Sequence, residues 1–198
     1  PVVRDPKVFM KLRDHAVEIN RRYANRFGIN ASTAVTCVKP SGTVSQLVDA
    51  ASGMHPRFAR YYIRRVRISA KDPLFMMLKE QKFPCFPEVG QDVATATTYV
   101  LEFAVKSPEG SITREDLNAG DQLEYWKMVK ENYTEHNPSV TISVADDEWI
   151  ETAHWLYKNW DLLGGLSFLP KSKTVYQLAP YEEITEEEYR TRTQTCSG

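Results

Sequence analysis

"CVKPSGTVSQL", Cys37 to Leu47, is the stretch on which the reading of this chain turns. A β-prone run, "AVTCV" (34–38), meets Lys39-Pro40, then Ser41-Gly42-Thr43, then a mixed stretch that can open a short helix over 44–50. A proline, a glycine and three hydroxyls between a strand and a helix make either a capped turn or a cradle for an anion. Gly42 permits a positive φ and lets a ligand come close to the backbone. If a helix starts near Thr43, its first amides lack intrahelical partners, and they and the helix dipole favour negative charge. Ser41, Thr43 and Ser45 add hydroxyl donors. The order is not that of the Walker loop, which ends in Gly-Lys-Ser/Thr; here Lys39 comes first. Local sequence leaves two readings open: a simple cap at Ser41 or Thr43, or a phosphate site over residues 40–45.

Outward from this turn, helices and strands alternate. Asp5-Pro6 is an N-cap followed by proline at the first helical position. Val8, Leu12, Ala16, Ile19 and Tyr23 then recur at helical spacing, and Gly28 closes the helix. Residues 57–71 carry six basic residues and no acid, with the partial alternation of a strand. Asp72 caps another helix, and "FPCFPEVG" (83–90) reads as a proline-punctuated loop. "TTYVLEFAV" (97–105) is a strand. Thr113-x-x-Asp116 resembles a capping box, opening a helix expected to run to about Tyr133. "SVTISV" (139–144) is a strand by its β-branched content. Asp146 is expected to cap a helix through Trp149, Ala153, Leu156 and Trp160. "GGLSFLP" (164–170) is strand-like, and "PYEEITEEEYR" closes with a small acidic helix. This alternation argues for an α/β arrangement. The strands are few and widely spaced, which fits part of a larger barrel or sheet.

The totals exclude several classes. With 198 residues and 42% hydrophobic content, a sizeable core is available. A formal net charge of −1 gives no global reason to expect nucleic acid or a membrane surface. No apolar run is long enough to span a bilayer, and no secretory signal opens the chain. Three cysteines, Cys37, Cys85 and Cys196, make no disulfide framework, so a reducing cytoplasm is expected. The first residue is Pro1 rather than Met, which suggests a piece of a longer chain.

The remaining candidates have plainer readings. His55, beside a glycine turn in "ASGMHP", is expected to be structural or solvated. The basic segment is expected to be a solvated strand face, with phosphate or nucleic-acid binding as the competing reading. His136 and His154 have no second ligand at metal spacing, so no metal site is assigned. The tryptophans at 126, 149, 155 and 160 are expected in the core. Glu182, Glu183 and Glu186 to Glu188 are expected on a solvated helix face. Cys37 is expected to be a buried, inert thiol.

"VKPSGTVSQLVDAASGMHPRFARYYIRRVR", "EGSITREDLNAGDQLEYW", "HNPSVTISVADDEWIE", "GLSFLP" and "YQLAPYEEITEEEY" together resemble, in order, the C-terminal part of the barrel of adenosylcobalamin-dependent (class II) ribonucleotide reductases. "EHNPSVTISV" is most similar to the branch acting on ribonucleoside triphosphates, whose members are usually monomeric. The resemblance implies the last strands and helices of a ten-stranded α/β barrel over 1–180, then an acidic helix and flexible tail over 181–198. It implies a phosphate cradle at Ser41, Gly42, Thr43, Val44 and Ser45, with Pro40 fixing the entry. The cofactor implied is adenosylcobalamin, and the partners implied are a ribonucleotide and thioredoxin or a similar dithiol. The family's thiyl cysteine sits in an Asn-x-Cys-x-Glu motif that does not occur in this sequence, so no catalytic residue is assigned. Cys196 resembles the first half of the family's C-terminal cysteine pair, a redox shuttle; an incidental tail thiol is the alternative. A nucleotide- or phosphate-binding module without redox chemistry is the competing function.

Overall fold

The elements run, in chain order, α1 (Pro6–Phe27), α2 (Val44–Leu47), β1 (Tyr61–Ser69), α3 (Pro73–Glu80), β2 (Cys85–Pro87), β3 (Thr98–Lys106), α4 (Ala119–Asn132), β4 (Thr141–Val144), α5 (Trp149–Lys158), β5 (Ser167–Pro170), β6 (Tyr181–Glu183) and α6 (Glu186–Thr195). This computed structural model describes residues 4–42, 44–171 and 177–195. The chain divides into two units, each assembled from two stretches of sequence. Pro1–Arg57 joins Gly110–Ser172, and Phe58–Glu109 joins Lys173–Gly198.

The first unit is helical around a parallel strand pair. Asp5 caps α1 by accepting from the Lys7 amide at 2.9 Å, and Gly28 ends it with φ +67°. Strands β4 and β5 pair in parallel from Thr141↔Ser167 to Val144↔Pro170, with α5 as the connection between them. The core gathers Leu123, Trp126 and Val129 of α4 against Ile142 and Val144 of β4, with Met54. Trp126 is fully buried and donates its indole N–H to the Pro138 carbonyl at 3.0 Å, which satisfies its one polar atom.

The second unit is an antiparallel sheet in the order β2-β3-β1-β6. β1 and β3 pair over nine residues, from Tyr61↔Lys106 to Ser69↔Thr98. Phe75 of α3 stacks on Tyr99 of β3, with ring centroids 4.4 Å apart. Arg65 of β1 is buried, and its guanidinium meets Glu102 of β3 at 2.7 Å and Glu182 of β6 at 2.5 Å. Arg192 of α6 reaches the other oxygen of Glu102 at 2.8 Å.

Several expectations are corrected. Residues 34–38 lie in no helix or strand and form no strand ladder among the described residues. The Thr36 and Val38 carbonyls accept from Glu135, His136 and Ser139, while the Val35 and Thr36 amides turn instead to the Glu135 carboxylate. Cys37 is exposed there, not buried. The 83–90 loop contains a short strand, β2, on the edge of the sheet. The Thr113–Asp116 capping box is present, but it closes a single 3-10 turn; α4 starts afresh at the Asn118 cap. Glu148, not Asp146, precedes α5, and its carboxylate accepts from the Ala145 and Ala119 amides. Trp149 is 39% and Trp160 71% exposed, so two of the four tryptophans lie outside the core. Arg57 and Arg65 are buried and paired, so the basic segment is not simply a solvated face. Glu182 and Glu183 belong to a strand that pairs with β1, and the helix beyond them runs to Thr195, five residues past Arg190. Within 181–198, where an acidic helix and a flexible tail are expected, the helix reaches Thr195. No helix among the described residues is long and apolar enough to cross a membrane.

Candidate phosphate-binding site

Pro40 and Gly42 are exposed, Ser41 is half-buried and Thr43 lies outside the described residues. Gly42 has φ +59°, the left-handed conformation that the sequence pattern called for. Among the described residues, chain neighbours aside, nothing lies within 4 Å of where a Cβ on Gly42 would stand, so that side of the backbone is open to an approaching group. The Val44 amide closes the turn onto the Ser41 carbonyl at 3.2 Å, and the Ala50 amide bonds the Ser45 carbonyl at 2.9 Å. The Ser45 side chain is 4% exposed, and its hydroxyl has no partner among the described residues. A buried, unpaired hydroxyl is costly unless a group outside the described residues satisfies it. Helix α2 is only four residues long. Its dipole is therefore small, and an anion here relies on the turn's own donors rather than on a helix end.

The turn is braced by residues whose role the sequence left obscure. Ser52 Oγ accepts from the Ser41 amide at 2.9 Å and lies 3.2 Å from the Ser41 hydroxyl. Gly53 has φ +59°, and a Cβ there would sit 2.9 Å from the Lys39 carbonyl oxygen, so the second turn packs directly on the first. His55 is half-buried and bonded on both ring nitrogens, to Ser52 and to Thr141. The expectation that it is structural is met. Arg57 is buried and gives hydrogen bonds to both the carbonyl and the carboxylate of Asp49, which holds the far end of the loop. The only sequence signal for this brace was the glycine turn "SGMHP". Cys196 lies outside the described residues. No cluster of three or more histidine, cysteine or acidic side chains suited to a metal ion occurs among the described residues.

No family model matches the chain. A Dictyostelium discoideum protein named "Probable adenosylcobalamin-dependent ribonucleoside-triphosphate reductase" is 33% identical over 176 residues, covering 87% of this chain and 23% of the relative. The adenosylcobalamin-dependent ribonucleoside-triphosphate reductase of Lactobacillus delbrueckii subsp. bulgaricus is 30% identical over 197 residues, covering 97% of this chain and 26% of the relative. A crystal structure of a B12-dependent (class II) ribonucleotide reductase superposes with a TM-score of 0.81 at 28% identity, covering 98% of this chain and 27% of that one. The chain thus spans about a quarter of the length of the curated relatives it matches. By sequence and by fold alike, it is a homologue of a quarter-length portion of the adenosylcobalamin-dependent (class II) ribonucleotide reductases.

Proposed function

We propose that this chain is part of a cytoplasmic, adenosylcobalamin-dependent ribonucleotide reductase, that it contributes the last strands and helices of a ten-stranded α/β barrel, and that residues 40–45 hold the phosphates of the substrate. The observation that carries the reading is the likeness over 98% of this chain to a portion of a class II reductase at a TM-score of 0.81. The names of the relatives favour ribonucleoside triphosphates as substrates. The left-handed Gly42 and the Ser45 hydroxyl, which among the described residues have open space and no partner respectively, support the phosphate assignment to Pro40, Ser41, Gly42, Thr43, Val44 and Ser45. Phosphate oxygens accept hydrogen bonds only, so a turn of amides and hydroxyls suits them without fixing base or sugar.

The sequence holds no Asn-x-Cys-x-Glu run, so this part binds and orients substrate while the thiyl cysteine lies elsewhere in the protein. The cavity at the start of α4, lined by Asn118, Leu123, Glu148, Thr152 and Trp155, holds about 120 Å³. That is far too small for a corrin, and no described residue of this chain is assigned to adenosylcobalamin. In the same reading Cys196 is one half of a redox shuttle recharged by thioredoxin or a similar dithiol, and the full-length protein is a monomer.

The test is Gly42→Val in the full-length reductase. The variant places a branched side chain where the phosphate would approach and should raise KM for a ribonucleoside triphosphate by about tenfold or more, the loss of one or two good hydrogen bonds. Gly42→Ala, which adds strain at φ +59° but little bulk, should have the smaller effect. Normal substrate affinity in Gly42→Val would overturn the assignment.

A further inference from the structure

We propose that His55 is the positioning residue of the 40–45 turn, acting as a neutral clamp between that turn and the first residue of β4. The Thr141 amide points at His55 Nε2 across 3.1 Å. An amide nitrogen can only donate, so Nε2 must be the bare, accepting nitrogen. The proton of the neutral ring is then on Nδ1, which faces the Ser52 carbonyl at 2.8 Å. The His55 amide also donates to that carbonyl, at 3.0 Å, so Ser52 is held twice from one residue. Ser52 in turn holds the Ser41 amide through its hydroxyl at 2.9 Å.

The result is a continuous path of hydrogen bonds from strand to turn: Thr141 N–H to His55, His55 N–H to the Ser52 carbonyl, and Ser52 Oγ to Ser41. All its members lie in one compact unit. Gly53 lies so near the Lys39 carbonyl that a Cβ there would come within 2.9 Å of its oxygen, so the clamp runs alongside the turn at a second point. Neither alanine nor a doubly protonated ring can complete the path, because both lack an acceptor for Thr141. Glutamine restores the acceptor for Thr141 through its Oε1, and its amide nitrogen is a donor rather than a charge. The positioning stands on these contacts alone; its effect on substrate affinity rests on the phosphate reading above.

Three measurements on the full-length protein test this. Nitrogen-15 NMR of the His55 ring should report the Nδ1–H tautomer at neutral pH. Amide exchange should show Ser41 about five- to tenfold less protected in His55→Ala, which removes the ring's bonds to Thr141 and to the Ser52 carbonyl and so loosens the Ser52 side chain that holds Ser41, with His55→Gln closer to wild type. Ser52→Ala should loosen Ser41 by a similar factor while leaving Thr141 protected, and it serves if His55→Ala does not fold. Titration with CTP should then show a weaker dissociation constant in His55→Ala and Ser52→Ala, recovered in His55→Gln, with kcat changed less than KM. A ring protonated on Nε2, or unchanged Ser41 protection in both alanine variants, overturns the clamp. A loosened Ser41 with unaltered CTP affinity sustains the clamp and overturns the phosphate reading instead.

Discussion

Glu135 shows how much backbone a single exposed carboxylate can organise. Its Oε2 accepts from the Val35 amide at 2.7 Å and from the Thr36 amide at 3.3 Å. Foremost the Val35 amide, then the Thr36 amide and the charges of Arg13 and His136, hold its carboxyl below the usual carboxylate range, against a smaller opposing effect of desolvation. A depressed carboxylate stabilises the fold above its unfolded pKa, and that contribution fades as the pH falls through the lower, folded value. The Val35 amide should therefore lose protection from exchange on acidification through and below the carboxylate range. Glu135→Gln keeps an oxygen acceptor but loses the charge. In that variant the Val35 protection factor should already be lower at neutral pH and should show no such acid-induced loss. Equal protection factors in the two proteins across that range would show that the carboxylate does not hold the segment. Nothing in "AVTCV" announces this arrangement, because the partner lies 100 residues away in sequence. Local β propensity was read as a strand, and a side chain supplied the partner that a neighbouring strand would have given.

Among the elements, β4 has β5 on one side and side chains on the other. The Thr141 amide goes to His55, the Ser143 amide to Gln122 Oε1, and the Ser143 carbonyl receives Gln122 Nε2, each at 3.1 Å. Gln122 is 5% exposed and sits on α4, so a helix residue closes a strand edge that would otherwise offer unpaired groups. Gln122→Leu preserves most of the volume and removes both bonds to Ser143, together with the one from Nε2 to the Asn118 carbonyl, which keeps the Gln122 amide as a donor. It should destabilise by about 2 kcal/mol, because two backbone groups lose their partners in a largely dry place. Chemical denaturation checks this, and a loss under half that figure would mean water replaces the amide. The elements that were legible carried local marks. Asp5-Pro6 and Asp72-Pro73 announced α1 and α3, Gly28 announced the end of α1, and β-branched or aromatic runs announced β1, β3 and β4. The missed ones, β2 and β6, are three residues each and exist through pairing with Tyr99–Leu101 and Arg64–Tyr62. Three residues have no period to read. Within the site, Gly42 was legible because its backbone needs glycine; the Ser52–His55 brace was not, because its acceptor and donor come from separate stretches of chain.

At the scale of the whole molecule, each unit is stitched from two distant stretches, and the stitching in the second unit is electrostatic. Arg65, Glu102, Glu182 and Arg192 come from β1, β3, β6 and α6 and form one connected set. Arg65 and Glu102 have side chains 7% and 6% exposed, so neither can turn to bulk water when a partner is lost. A buried pair of this kind contributes little over a well-packed apolar pair, but breaking it is expensive because one charge stays behind. Glu102 is the hinge of the set, since it accepts from Arg65 with one oxygen and from Arg192 with the other. Glu102→Ala should cost about 3 kcal/mol or more, as Arg65 keeps only the Glu182 carboxylate and the Ala179 carbonyl. Arg192→Ala should cost much less, because that side chain is 43% exposed and its pair with Glu102 is screened from one side. The two effects separate by site. Glu102→Ala should lower amide protection along β1 and β3, whereas Arg192→Ala should lower it mainly in α6, where the side chain ties the helix to the sheet. Amide exchange on both variants reads this directly. If Arg192→Ala loosens β1 and β3 as much as Glu102→Ala does, the sheet depends on α6 rather than on the buried Arg65–Glu102 pair, and the order of importance argued from burial is reversed.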